Sequence, residues 1–556
     1  MRFDFRSLRF AIALCLGLSV ACGSAVIAKA QTKSSDTKAS ADTKAGADSK
    51  TGADSKTGTD AAPSADTPPQ VNPQEMLDKA DAALKASDFK AAYTAYNDLA
   101  QAVERTGNVS PEAIAVLLKA YNGRGNALFG LKQNDAAVED FQKVLGMDQA
   151  NVTALIGRGK ARLELNQADI ALKDFQDAVK ADQSNAEAQL GLGKAFVTLG
   201  RADDAIAPLK LAIEADPKNA EAYRLRGTAY AASVKNKEAI EDLQKAIELN
   251  PEDQEAYFTL GMVHLRAEEY KEAVDEFGKA IEHYKPKVGQ EDVPYVQGYL
   301  TRSSALIELG KKLKDDDKAR KVAYQAAADD CDKLLSQLNE KNPAHAQVRA
   351  AAFYSRGVAQ RMLGNYSDAV RSFSQALEAN PELGDAYFRR GICFHNMNEE
   401  KMAIADFQQA AHITFDDPRC NLWEGFTYAK LGDYNEAIRA YGDAIAASDR
   451  YTPAYANRAL AYMMLGEYEK AIADYDTAIR LTPTDARYYY QRGVAYEMQK
   501  DWKRASESNA TSLQFDNKNA DAYRHMSTAM KQLGKNDLAT EYSKKADELA
   551  PKKVAK

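Results

Sequence analysis

The chain has 556 residues, of which 45% are hydrophobic and 28% charged, and a formal net charge of -7. A net acidic chain with no Lys/Arg-rich patch has no electrostatic footprint for nucleic acid. Its five cysteines include two in the first thirty residues, and the three that follow are odd in number and widely spaced, which excludes a disulfide framework.

The N-terminus opens with Arg2, Arg6 and Arg9, then an uncharged apolar run from Phe10 to Ala28 and the small-x-small sequence Ala28-Lys29-Ala30 before Gln31. This order of charge, apolar run and small residues predicts an export signal over residues 1–30. A retained membrane anchor is the alternative, because the run is nearly long enough to cross a bilayer. Lipidation at Cys22 is disfavoured by Ser19 three residues before it. Cleavage after Ala30 would remove Arg2, Arg6, Arg9, Lys29 and Asp4 and move the net charge from -7 to -10. The expected location is periplasmic or secreted, with a membrane tether through the N-terminus if the segment is retained.

Residues 31–72 are dominated by Ala, Thr, Ser, Asp, Lys and Gly, with a six-residue beat at Asp36, Asp42, Asp48, Asp54 and Asp60. Lacking aromatic residues, this stretch builds no core and is expected to be a disordered linker with a reach of roughly 35 Å.

From there the sequence repeats itself every 34 residues. Alanine recurs at 137, 171, 205, 239 and 273, and again at 369, 403, 437, 471, 505 and 539. Twelve residues before each alanine stands another small residue, Gly125, Gly159, Gly193, Gly227 and Gly261, then Gly357, Gly391, Gly425, Ala459, Gly493 and Ser527. Two columns of small residues at one period predict two amphipathic helices per unit whose backbones touch. Counting from Leu118 or Ala350 as position 1, Gly200, Gly364, Gly432, Gly466 and Gly534 mark a turn at position 15, and Pro217, Pro251, Pro381, Pro483 and Pro551 end the second helix at position 32.

Columns such as Ala220-Glu221-Ala222-Tyr223 through Gly227, Tyr230, Ala239, Ala246 and Pro251 resemble the tetratricopeptide repeat. The resemblance covers most of the chain and implies an all-α solenoid, a right-handed superhelix of about 12 to 13 helix-turn-helix repeats in two blocks. Five contiguous units run from Leu118 to Lys287 and six from Ala350 to Lys553, with a looser one at Pro73–Thr106. The blocks are thus residues 73–287 and 350–553, joined by an irregular or elongated helical connector, 288–349. Within it a charged insertion, Lys311 to Arg320, interrupts an elongated thirteenth unit spanning about Val296 to His345.

Position 7 is apolar in most such repeats, yet seven units here carry arginine: Arg124, Arg158, Arg226, Arg356, Arg390, Arg458 and Arg492. Sixteen residues later five of them have Asp140, Asp174, Asp242, Asp406 and Asp474, and the other two have Ser372 and Ser508. Units without the arginine have no Asp at that place. The correlation predicts an ion pair between the two helices of one repeat, and disfavours pairing to the next repeat, where Asp174, Asp242 and Asp406 would face Leu192, Leu260 and Glu424.

Gly123-Arg124-Gly125, Gly157-Arg158-Gly159-Lys160 and Gly191-Leu192-Gly193-Lys194 look like pieces of a phosphate loop, but no Ser or Thr follows either lysine and the second glycine of each is the position-8 packing residue. The six histidines never approach metal-ligand spacing, and there is no nucleophile elbow, paired-Cys motif or cofactor fingerprint. No cofactor, metal or catalytic centre is expected.

The resemblance implies that positions 2, 5, 9, 12 and 13 line a concave groove for partner polypeptides. In the second block these include Tyr354, Val358, Met362, Phe388, Ile392, Leu422, Phe426, Leu460, Met463, Met464, Tyr490, Val494 and Met498, with Trp423 beside them at position 6. Tight superhelical winding would bury part of this column. In the first block Lys160, Lys194, Arg224, Thr228 and Arg266 stand among Ile156, Leu190, Phe258 and Met262. The clamp of Lys, Asn and Arg by which some family members hold a C-terminal carboxylate is not found, since Leu460 replaces the usual Asn in the unit that has Asn457. The expected function is a non-catalytic scaffold that binds an extended apolar or amphipathic segment. An accessory or regulatory subunit of a cell-envelope enzyme complex is the alternative.

Overall fold

The computed structural model describes residues 72–107, 110–286 and 295–549. The expected export signal, nearly all of the expected linker and the end of the last repeat lie outside these residues. The described residues are helices joined by short turns, with no strand among them. They form two units, one ending at Lys285 and one beginning at Pro286. In each, helices pack as antiparallel pairs and each pair stacks on the next.

One repeat shows why the sequence folds this way. Asn219 accepts a hydrogen bond from the Ala222 amide at 3.0 Å and so starts the helix Ala220–Ala232 by satisfying an amide that has no partner within it. The chain then reverses through Val234 at φ +61° and enters the helix Asn236–Leu249. Every described regular repeat has a residue with φ between +59° and +83° at this place, whether Gly200, Asn166, Lys132 or Val234. Pro251 follows soon after the second helix, where no further helical amide is needed.

The glycine column exists because a ring lies against it. A Cβ on Gly159 would meet the Phe175 ring at 2.8 Å and one on Gly391 the Phe407 ring at 2.8 Å. The earlier glycine of each Gly-x-Gly meets the ring of the preceding repeat: Gly157 would approach Phe141 at 2.4 Å, while Gly125 approaches the same ring at 2.9 Å from its own repeat. Phe141 is therefore held between two glycines of adjacent repeats. Ser527, the variant in this column, uses its extra atoms to donate a hydrogen bond to the Ala539 carbonyl at 2.7 Å.

The elongated unit is a helix pair, Val296–Lys312 and Asp317–Ser336, packed onto the helix Ala346–Met362. Leu300, Leu334, Leu338, Val348, Ala351 and Ala352 form one continuous core through it. Ser303 occupies the small-residue column and donates to the Ala327 carbonyl at 2.9 Å, the contact that Ser527 makes with Ala539. The sequence separation is 24 residues in place of 12, so this unit is an ordinary repeat with twelve residues added to its turn and helix ends.

Candidate partner-binding grooves

Position 7 projects each arginine between the two helices of its repeat. Arg124, Arg226, Arg390 and Arg458 place Nε and Nη2 on the two carboxylate oxygens of Asp140, Asp242, Asp406 and Asp474, all at 2.6–2.8 Å. Arg158 donates twice to one oxygen of Asp174, at 3.2 and 2.6 Å, and Arg162 takes the other at 2.6 Å. The carboxylates are buried. Burial pushes the Asp406 carboxyl up despite the pull of Arg390. Breaking pairs this enclosed costs about 3–5 kcal/mol.

The guanidinium has a third contact that the forward spacing did not reveal. Nη1 of Arg124 donates to Asn97 at 2.8 Å, that of Arg390 to Ser374 at 2.8 Å and that of Arg492 to Asp476 at 2.5 Å; Arg158 reaches Gln142 in the same way. All four acceptors stand at position 25 of the preceding repeat. Arg356, with Ser372 as its own partner at 2.9 Å, reaches Asp332 at 2.7 Å. Each of these arginines is a clip, closing its own helix pair and joining it to the one before. Glu424 reverses the polarity at position 7, accepting from Arg439 at 3.0 Å and from Gln408, at position 25 of the preceding repeat, at 2.9 Å. The elongated unit has the same pairing within its own two helices in Arg302 and Asp330, at 2.7 and 2.5 Å, hidden from the sixteen-residue spacing by its twelve extra residues.

In the first unit the inner positions enclose a cavity of about 500 Å³ floored by Phe129, Leu163 and Leu190. Its rim is charged and internally neutralised: Lys160 pairs with Glu187, and Lys194 with Glu221 at 2.8 Å. Burial pushes the Glu221 carboxyl up, but the Lys194 bond and the cations around it bring it below its ordinary value. Arg224 bridges to Asp253 at 3.2 Å and Glu255 at 2.5 Å, and Arg266 is bound to the Ala231 carbonyl and Asn236. Ile156 is buried. This groove offers a small apolar floor between charges already paired with one another.

In the second unit the inner column divides by burial. Phe426, Leu460, Met464 and Met498 are exposed, at 47, 45, 57 and 54%. Ile392, Leu422, Trp423, Met463 and Tyr490 are half-buried beside them. Phe426 lies against His395 and Trp423, with ring centroids 5.5 and 5.8 Å away, so its base is fixed while its edge stays open. His395 is held by Thr427 at 3.1 Å, and burial lowers its pKa. Phe388 departs from the groove expectation: at 7% exposure it packs in the core with Phe407, and the Arg419 guanidinium lies 5.3 Å above its ring. Tyr354 is likewise occupied, its hydroxyl donating to Asp385 and accepting from Arg389 at 2.8 Å.

Cys331, Cys393 and Cys420 are buried and free. Burial pushes their thiols up to about 12, 11 and 12, so they are protonated at neutral pH and inert as nucleophiles. Among the described residues no group of His, Cys, Asp and Glu could hold a metal ion, and no helix is long and apolar enough to cross a membrane.

Models of the tetratricopeptide repeat match residues 118–151, 156–220, 221–287, 350–383 and 418–450, and a further TPR repeat model matches 461–500. A protein SGT1 homolog of Bos taurus is 30% identical over 99 residues, which are 18% of this chain and 27% of that protein, so the chain spans about a quarter of that relative. Among solved structures, yeast Tom70 is 16% identical, with 85% of this chain and 96% of that one covered at a TM-score of 0.33. PilF of Pseudomonas aeruginosa is 18% identical, with 38% of this chain and 95% of that one covered at a TM-score of 0.33.

Proposed function

From a chain that is a solenoid of tetratricopeptide repeats, and so of a fold used for protein–protein interaction, we propose a non-catalytic scaffold that binds an extended apolar or amphipathic segment along the inner face of its second unit. The observation that carries this reading is the run of exposed Phe426, Leu460, Met464 and Met498 across four inner positions of three successive repeats. Single exposed apolar residues are ordinary, whereas a continuous run marks a surface that is covered in use. The first unit contributes less, because its inner charges already satisfy one another.

The triple variant Phe426→Asp, Leu460→Asp, Met464→Asp tests this in the full chain, read by crosslinking and mass spectrometry on intact cells. Loss of crosslinks to the second unit with unchanged far-ultraviolet circular dichroism is the expected result; partners retained at wild-type yield would overturn it.

The same reading takes residues 1–30 as an export signal or anchor and places the chain in the periplasm or outside the cell, supported by Arg2, Arg6 and Arg9 ahead of the apolar run Phe10–Ala28. That address also supports the second reading, an accessory or regulatory subunit of a cell-envelope enzyme. Mass spectra of the purified chain decide the first point: a mature N-terminus at Gln31 is expected for a cleaved signal, and an intact Met1 on a soluble cytosolic chain refutes export.

A further inference from the structure

An unbalanced charge lies in the second unit, where the helices Ala346–Met362 and Gly384–Asn396 carry Arg361 and Arg389. Arg361 stands at an inner position in the last turn of the first of these helices. Its Nε is buried and has no hydrogen-bond partner. Its Nη2 donates to the Met362 sulfur at 3.4 Å, a weak acceptor, and no ion pair involves this side chain. The side chain as a whole is half-buried, so the guanidinium keeps some water but has no carboxylate, and a ligand could supply the counter-ion. Burial and the positive charge of Arg389 both push its pKa down.

Arg389 is only partly engaged. It donates through Nε, to Asp385 at 2.5 Å and to the Tyr354 hydroxyl at 2.8 Å, while its two Nη groups make no hydrogen bond. The Tyr354 hydroxyl in turn donates to Asp385, which fixes that carboxylate against Arg389 and takes it away from Arg361. Two guanidinium groups and one carboxylate leave a single net positive charge beside the groove. That balance suits one monoanion and disfavours a dianion, which would meet Asp385.

We propose that Arg361, with the free edge of Arg389, forms a subsite for one carboxylate side chain of the segment bound in the groove. Tyr354 and Asp385 are positioning residues that hold Arg389 in place. The assignment rests on the groove reading above and deepens it: the partner segment is apolar where it meets Phe426, Leu460 and Met464, and carries an Asp or Glu about two repeats earlier along the array. The site differs from a C-terminal clamp, being built on a half-buried arginine with an unpartnered Nε and needing no chain end.

Titration of the full chain with glutarate monoamide, inorganic phosphate and acetyl-capped, C-terminally amidated tetraglutamate tests this, with Arg361→Met as the variant. The wild type is expected to bind the monoamide and the peptide, and R361M to lose about tenfold or more in affinity for both, the scale of a charge-assisted hydrogen bond. R361M is expected at the same time to unfold at a slightly higher temperature, because it deletes a half-buried charge whose Nε has no hydrogen-bond partner. A variant that binds the two carboxylate probes as well as the wild type overturns the proposal, as does a wild type that binds phosphate but neither carboxylate probe. Tetraglutamate with a free C-terminus separates the sources: affinity gained only on freeing the terminus refutes a side-chain carboxylate. The monoamide does not need the apolar groove, so failure of the Phe426 variant set and failure of this subsite are distinguishable.

Discussion

Val234 is the clearest case of a residue working against its own conformation. Its φ of +61° places a β-branched side chain in the left-handed region, and at 66% exposure the side chain gains little packing in return. Val234→Gly is expected to stabilise the chain by about 1 kcal/mol, the left-handed penalty relieved less the entropy glycine adds to the unfolded chain. Urea unfolding followed by circular dichroism reads it; a midpoint unchanged or lowered counts against the assignment. The turn itself was legible in the sequence through Gly200, Gly364 and their equivalents, but not the strain at Val234, because the repeat imposes the backbone and the residue only tolerates it. The Arg and Asp pairing was legible for the converse reason. An enclosed carboxylate needs its cation, so the two types recur together at fixed spacing. Arg361 left no such trace, since a residue without a partner correlates with nothing.

Among the helices, Trp502–Phe515 has an unusually polar core. It buries Ala505, Ser506, Ser508, Asn509 and Ser512, where its counterpart Tyr366–Ala379 buries Phe373 and Leu377 as well as alanine. Asn509 stands where the other regular repeats except the last place Phe, Tyr or Leu, is fully buried, and has neither amide atom hydrogen-bonded. Asn509→Leu, the residue found at the equivalent sites 209 and 243, is expected to raise stability by about 1–3 kcal/mol by removing an unsatisfied polar group. Amide exchange should show Trp502–Phe515 opening before Tyr366–Ala379 in the wild type, with the order lost in the variant. Equal protection of both helices in the wild type would refute this weakness. The 34-residue step gave these helices and their pairing directly. The elongated unit was harder to see: its Ser303–Ala327 contact and Arg302–Asp330 ion pair are regular in space, but twelve added residues break the step by which the others are recognised.

For the molecule as a whole, the repeat told which residues share the inner column but not which of them are covered. Phe388 and Tyr490 hold the same position in their repeats, yet Phe388 is buried beneath Arg419 while Tyr490 is half-buried beside His525. Burial depends on what the neighbouring repeat places above a site, and that information lies in pairs of residues a repeat apart. The cavity of the first unit is not legible in the sequence for a similar reason, because its apolar floor of Phe129, Leu163 and Leu190 is drawn from three repeats.

The arginine clip has a consequence for how such an array comes apart. In a linear stack, neighbouring units melt together only as far as the bonds between them exceed the weakness within them. Those bonds are unequal here. Arg492 is tied backward to Asp476, but Arg458 faces Gly442, where an added Cβ would lie 3.8 Å from its Nη1 and no acceptor exists. The junction before Arg458 is thus a seam at which the second unit is expected to part under heat or force, leaving the repeats on either side to unfold in separate steps. Gly442→Asp would supply the missing acceptor. Against Gly442→Ala, which gains about 1 kcal/mol of helix propensity where Asp gains only a few tenths, it is expected to steepen the unfolding transition, and equal slopes for the two variants would show that the clip does not set cooperativity. Where the array yields is then written in position 25, a site that contributes nothing to the core of its own repeat and decides whether the next one holds on.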